Sequence, residues 1–396
     1  MKIRKISASY IFAGDSGFLK NGILSLSEDG RVLKITDTGG NLTEEANLEH
    51  YNGILCPGFI NTHCHLELSH LRGKIPRNTE LPGFIKAVVT GRKEDKNLIL
   101  KAIAEADREM RQEGIVAVGD ICNTSDTFEI KAQSPVYYHS FLEVFGTSES
   151  GAQNIFRNGQ NLLHLAREKF SLKASLTPHS AYGLGETLFS LFRENNDSDN
   201  RLISAHNQES PAENDLICNA RGELFDLFHK MGLDMSIIAP RHKNSLQWLL
   251  EQLPEATQKL MVHNLHTTEQ DILESGADKD NIYWVLCPKS NFYIGGIYPG
   301  SFLMKRYSDR ICIGTDSLAS NDRLSILDEL IALQNVYPEI PLHELLSWAT
   351  INGAKALGID KWCGNFEEGK KPGIILIKNV DILNLRLKKE SRVRVL

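Results

Sequence analysis

Cys56-Pro-Gly-Phe-Ile-Asn-Thr-His-Cys-His-Leu-Glu-Leu-Ser69 is the stretch whose reading decides the fold. It opens on a Pro-Gly turn, continues as an apolar run and ends in two histidines one residue apart. If 58–65 is a strand, its period of two puts His63 and His65 on one face and Cys64 on the other. Two imidazoles aimed the same way from a strand end suit a metal ion, provided the rest of the chain supplies the remaining ligands.

Outward from that stretch, strand-like apolar runs recur at 115–121, 136–145, 172–178, 202–206, 260–265, 282–287 and 311–315. Helical patterns separate most of them, at 97–112, 154–169, 213–231, 268–274 and 325–335. Eight strands alternating with helices over about 260 residues read as a (β/α)8 TIM barrel. No Gly-rich dinucleotide or P-loop fingerprint follows any of the strands, which argues against a nucleotide-binding open sheet. Two short helical stretches, 342–348 and 352–357, come after the eighth strand. Residues 1–56 read as short strands and turns, and the far end, 374–383 and 392–396, is again β-rich. We therefore expect a discontinuous β domain, 1–56 plus 362–396, around a barrel spanning 57–361.

Composition bounds the function. The 396 residues are 41% hydrophobic and 24% charged, ordinary for a globular enzyme with a large core. A formal net charge of -6 without a basic run argues against nucleic acid as a partner. No apolar run is long enough to span a bilayer, and Met1-Lys-Ile-Arg-Lys-Ile-Ser7 leads into no secretory apolar segment. The seven cysteines are scattered and odd in number, which fits reduced thiols and a cytoplasmic location. Barrels of this size often associate, so a homo-oligomer is a natural expectation.

Catalytic side chains of such barrels lie at the C-terminal strand ends. Read in order, those ends carry His63 and His65, then His179, then His206-Asn-Gln-Glu209, then His263, Cys287-Pro-Lys-Ser-Asn291 and Gly314-Thr-Asp316. Five of the 13 histidines, an Asp and a Glu thus fall where one pocket collects them. Neutral imidazoles with one carboxylate hold a divalent ion such as zinc and leave room for water, whose pKa the ion brings to about 7. Ferrous iron, cobalt and manganese fit the same donors. Asp316 can take the proton of an attacking water, Glu209 can shuttle protons, and His263 can polarise the water or a developing oxyanion.

His63-Cys-His65, His206-x-x-Glu209, His263, Cys-Pro-x-Ser-Asn and Gly314-Thr-Asp316 resemble the amidohydrolase superfamily, in particular its mononuclear aminohydrolase branch of guanine deaminases, adenosylhomocysteine-type deaminases and triazine hydrolases. The resemblance spans nearly the whole chain, including a β-sandwich split between the termini. It implies one metal on His63, His65, His206 and Asp316, Glu209 as proton shuttle, His263 as the water-orienting group, and His179 facing the substrate. Leu176-Thr-Pro-His179 lacks the bridging lysine of binuclear relatives. Gly364-Asn-Phe-Glu-Glu-Gly-Lys-Lys-Pro-Gly373 is similar to the closing motif of the superfamily, with Pro-Gly in place of Ala-Asp.

Within that branch, His65-Leu-Glu-Leu-Ser-His-Leu-Arg-Gly73 and Leu81-Pro-Gly-Phe-Ile-Lys-Ala-Val-Val-Thr-Gly-Arg92 resemble the aminodeoxyfutalosine deaminases of menaquinone biosynthesis, whose substrate is an adenine nucleoside carrying a benzoate. On that reading Glu67 accepts from ribose hydroxyls, Arg92 or Arg323 meets a carboxylate, Asn291 contacts the ligand, and Phe84, Phe141 or Phe292 stacks on rings. Small-molecule deamination of a purine-like ring is the expectation. Its rivals are a hydrolase of another C–N or C–Cl bond, of guanine or triazine type, and a non-catalytic barrel that binds a small molecule. Chloride needs no proton to leave, so the presence of both Glu209 and His263 favours an amine.

Overall fold

The structure, a computed structural model, describes residues 3–14, 17–42, 47–195, 201–233, 235, 239–255 and 257–396. The N-terminal segment forms β1 (Arg4–Phe12), β2 (Phe18–Lys20), β3 (Ile23–Leu26), β4 (Val32–Thr36) and β5 (Leu48–Pro57). The middle contributes β6 (Phe59–Cys64), β7 (Ile115–Cys122), β8 (Tyr137–Val144), β9 (Lys173–Pro178), β10 (Leu202–Asn207), β11 (Gln258–His263), β12 (Ile282–Leu286) and β13 (Ile311–Ile313). Near the C-terminus, β14 (Ile374–Lys378) and β15 (Arg392–Val395) return to the first group.

The eight middle strands run parallel in two four-stranded runs, β6 to β9 and β10 to β13. The runs meet at two seams. At one, the His206 amide donates to the His179 carbonyl at 2.9 Å and the Ser204 amide donates to the Thr177 hydroxyl at 3.0 Å. At the other, the amides of Thr315 and Asp316 both donate to the His63 carbonyl at 3.1 Å, and the Thr62 hydroxyl donates to the Ile313 carbonyl at 2.9 Å. Both seams are therefore laced at their C-terminal ends by residues from the expected site. Ile60, Ala117, Phe141, Val262 and Val285 fill the barrel interior, and Ala354 and Leu357 close its far end.

Among the described residues the terminal segments make one seven-stranded sheet in the order β15-β14-β5-β1-β3-β4, with β2 beside β1. Its own core is Ile6, Ile11, Leu24, Val32, Leu55, Phe366 and Leu376. β5 runs through Pro57 directly into β6, so the sheet and the strand that carries the histidine pair are one continuous stretch of backbone.

The helices differ from the sequence reading where backbone conformation intervenes. The pattern over 213–231 divides into Pro211–Asn219 and Glu223–Lys230, because Ala220 (φ 49°) and Gly222 (φ 97°) adopt left-handed conformations that end the first helix. Helix Ala152–His164 continues as one wider turn over 165–169. Glu80–Gly91, outside the helical patterns expected above, is a helix, as is Pro288–Gly295, where the proline occupies the first turn. No helix among the described residues is long and apolar enough to cross a membrane.

Candidate active site

The ends of β6, β10 and β13 bring together His63, His65, His206 and Asp316. His65 Nε2 lies 3.2 Å from His63 Nε2 and 3.2 Å from His206 Nε2. Asp316 Oδ1 lies 3.6 Å from His63 Nε2 and 3.5 Å from His65 Nε2. Donors bound at about 2.0–2.1 Å around one ion are spaced by about 3–3.5 Å, so these gaps suit a single zinc-sized cation. Hydrogen bonding among the rings alone does not satisfy them. His206 Nδ1 sits 2.9 Å from the His179 carbonyl, so its proton is there and its Nε2 offers a lone pair. His63 Nδ1 is buried with no hydrogen-bond partner among the described residues. Burial, with His63 alongside, holds the His65 imidazole down to about 4. Burial and His179 hold His206 well below its ordinary value. Neutral rings with converging lone pairs are what a cation requires.

Asp316 is aimed by its surroundings. β13 stops at Ile313, two residues before the expected strand end, and Asp316 takes a left-handed conformation (φ 55°) that Asp tolerates better than most residues. Its Oδ2 accepts from the hydroxyls of Ser290 and Ser320, each at 2.6 Å, which leaves Oδ1 toward the histidines. Although burial favours the neutral acid, His63 and His65 hold the carboxyl well below the usual range. Cys64 packs instead in the layer between strands and helices.

Glu209 follows β10 and precedes the Ser210 cap of helix Pro211–Asn219. Glu213 in the first turn of that helix accepts from the amides of Gln208 at 3.0 Å and Glu209 at 3.2 Å, which fixes the approach of the chain. Burial, with Asp316 and Glu213 nearby, pushes the Glu209 carboxyl well above its ordinary value. Burial likewise pushes Glu213 up to about 7. His263 Nε2 lies 3.7 Å from Glu209 Oε2, and His263 Nδ1 lies 2.9 Å from the Asn291 amide nitrogen. Here β11 ends two residues short of expectation, since His263 (φ 76°) and Asn264 (φ 56°) turn the chain out of the strand.

Above these groups lies a cavity of about 430 Å³, lined at its floor by His65, His206, Glu209, His263 and Asp316. His179 forms part of its wall, with Nδ1 2.7 Å from Glu143 Oε1. Burial opposes a charge on this imidazole, but Glu143 outweighs it and raises the His179 pKa. Phe84, Ile85, Val88 and Val89 from helix Glu80–Gly91, with Phe145 and Phe228 opposite, make the mouth apolar.

The expected substrate contacts are only partly brought there. Arg92 lines the cavity. Glu67 turns into the wall: Oε1 takes Arg92, and Oε2 accepts from the amides of Asn123 and Thr124 at 3.0 and 3.1 Å and the Thr124 hydroxyl at 3.2 Å. With both oxygens engaged, Glu67 holds Arg92 rather than facing ribose, a correction to the sequence reading. Asn291 sets its side-chain nitrogen against His263 Nδ1 at 2.9 Å, while its buried Oδ1 has no partner among the described residues. Phe84 is at the mouth, but Phe141 packs inside the barrel and Phe292 stacks on Tyr298 away from the cavity. Arg323 pairs with Glu109, Glu113 and Asp328 elsewhere. Sequence reasoning missed Glu143, Glu213 and Ser320. Glu143 ends an apolar strand as the others end, which was a usable signal.

A parallel barrel with three histidines and an aspartate gathered at its strand ends presents a candidate metal centre. The sequence model of the amidohydrolase family matches residues 54–392, and the chain belongs to that family. It is 28% identical over 330 residues to adenosine deaminase of Helicobacter pylori, covering 81% of this chain and 78% of that protein. It is 28% identical over 359 residues to aminodeoxyfutalosine deaminase of Nitratiruptor sp., covering 88% and 85%. Helicobacter pylori aminofutalosine deaminase in complex with methylthio-coformycin shares the fold at a TM-score of 0.79, with 22% identity and coverage of 99% and 98%.

Proposed function

We propose that this protein is a metal-dependent hydrolytic deaminase of adenine nucleosides, with 6-amino-6-deoxyfutalosine, an intermediate of menaquinone biosynthesis, as its substrate. The observation that carries the reading is a buried acid, Glu209, facing the same cavity as the His63–His65–His206–Asp316 cluster. Those four residues would hold the ion, and zinc is the best match to their donors. When bound, a divalent ion acidifies water toward a pKa of about 7 and so supplies a nucleophile at neutral pH.

The chain's residues then manage the protons. Asp316 accepts from the attacking water and His263 orients it. A C–O bond forms at the carbon bearing the amino group while Glu209 gives a proton to the adjacent ring nitrogen. Glu209 recovers a proton from the adding oxygen and passes it to the amino group, and the proton held by Asp316 then restores Glu209. The C–N bond breaks and ammonia leaves, so water's oxygen ends as a carbonyl and its two hydrogens on the ring nitrogen and the ammonia. The raised proton affinity of Glu209 suits a group that both donates and accepts near neutral pH.

His179, set by Glu143, faces the nucleoside, and the apolar mouth takes the substituent at its 5′ end. Arg92 gives Nη2 to Glu67 and Asn123, leaving its other guanidinium edge for a carboxylate. All seven cysteines are free, which is consistent with a cytoplasmic site of action. Ammonia release should be measured for the metal-loaded protein with adenosine, 5′-deoxyadenosine, 5′-methylthioadenosine and 6-amino-6-deoxyfutalosine. We expect the last to show the highest kcat/KM, by tenfold or more. No ammonia from any of them would overturn the deaminase reading, and equal kcat/KM values would overturn the substrate assignment.

A further inference from the structure

Outside the cavity, behind β7, a second charged cluster is sealed in the protein. Asp120 of β7 and Lys131 of helix Phe128–Gln133 have fully buried side chains, and Lys131 Nζ lies 2.6 Å from Asp120 Oδ2. Lys131 Nζ is also 3.0 Å from the Ser140 hydroxyl. The other carboxylate oxygen reaches the site: Asp120 Oδ1 accepts from the Leu66 amide at 2.7 Å. Leu66 is the residue after His65.

We propose that Asp120 and Lys131 are a positioning pair that fixes the metal ligand His65 from outside the barrel and thereby sets how tightly the ion is held. The inference rests on the assignment of the metal site above. After Cys64 the chain leaves the ladder, and the next turn begins its own bonding with the Leu68 amide donating to the His65 carbonyl. The buried Leu66 amide therefore depends on Asp120, because a buried N–H without a partner is rarely tolerated. Cys64 and Asp120 are also register partners, so the carboxylate rises from the adjacent strand at the height where the histidine must be held. Lys131 neutralises Asp120, and Ser140 on β8 holds Lys131 in turn. Four successive groups, Ser140, Lys131, Asp120 and the Leu66 amide, thus lead from β8 to His65 from outside the cavity. Partners behind metal ligands typically change affinity by about 10- to 100-fold when removed.

Two double variants separate this hydrogen bond from the charge pair. Asp120→Asn with Lys131→Met removes both charges but keeps an oxygen for the Leu66 amide. Asp120→Ala with Lys131→Met removes the oxygen as well. Zinc dissociation constants, from chelator competition, are expected near the parental value for the Asn pair and about 10- to 100-fold weaker for the Ala pair. Equal affinity in the two pairs would overturn the proposal, as would an Ala pair that melts lower in the metal-free state with unchanged affinity. If the Ala pair does not fold, Asp120→Glu keeps both charges but displaces the acceptor, and about tenfold weaker binding is expected; parental affinity there would also overturn it. A parental chain that binds no zinc refutes the metal site itself, a different outcome from parental binding that the variants leave unchanged.

Discussion

Asp120 and Glu67 grip neighbouring points of one segment, yet they are neutralised in opposite ways. Asp120 is fully buried and Glu67 only 4% exposed, and both bind the turn after His65 to the end of β7. Lys131, the partner of Asp120, is sealed between sheet and helix. Arg92, the partner of Glu67, keeps 37% of its side chain exposed and stands in the cavity wall. The sealed pair can do nothing but hold. The open pair holds with one edge of a guanidinium and presents the other to whatever enters. Burial of a carboxylate therefore does not by itself separate scaffold from binding site; the exposure of its cation does.

The largest consequence concerns stability. Lys131→Met strands a fully buried carboxylate, and the chemical unfolding free energy should fall by about 3–5 kcal/mol. A loss below about 1 kcal/mol would mean that water reaches Asp120 and that the two pairs are less different than they look.

A third buried carboxylate, Glu329, extends the contrast. It relies on the Lys289 backbone amide at 2.8 Å and the Asn321 side chain at 2.7 Å instead of a close cation, and burial pushes it up to about 7. A carboxyl raised in the folded state stabilises fully below its unfolded pKa of about 4.5 and loses that contribution as pH rises through about 7. Glu329→Gln should therefore gain on the parental protein between pH 4.5 and 8, by about 3 kcal/mol at most. Denaturation midpoints at those two pH values check this, and a constant difference would contradict it.

The smallest effect on stability should come from Arg92→Gln, about 1 kcal/mol, because its ion pair is partly solvated. Its effect on binding should be larger. KM for a nucleoside with a distal carboxylate should rise about tenfold, as expected for one lost charge-assisted hydrogen bond, with adenosine nearly unaffected. A rise shared by both substrates would assign Arg92 to the wall alone.

Much of the site was legible because each strand end announces itself by an apolar run stopping at a polar residue. His63, His65, His206, His263 and Asp316 needed only that rule and the barrel topology. What it missed depends on pairing across distance. Glu67 meets Arg92 twenty-five residues away and Glu143 meets His179 thirty-six away, and no local periodicity encodes either contact. The strand readings ran too long at His263 and Asp316, where left-handed backbone turns the side chains into the cavity. Helix Glu80–Gly91 was hidden for another reason. Pro82 and Gly83 sit in its first turns and weaken a helical reading, although Leu81, Phe84, Ile85 and Val88 keep helical spacing.

The assignment of Glu209 as the proton carrier is the claim on which deamination depends most directly. Glu209→Gln keeps the shape and leaves His63, His65, His206 and Asp316 untouched. The account predicts one metal ion per chain, unchanged melting within about 1 kcal/mol of stability, and a kcat for ammonia release lower by about 10²–10⁴-fold. A metal-loaded variant that releases ammonia at the parental rate would contradict it.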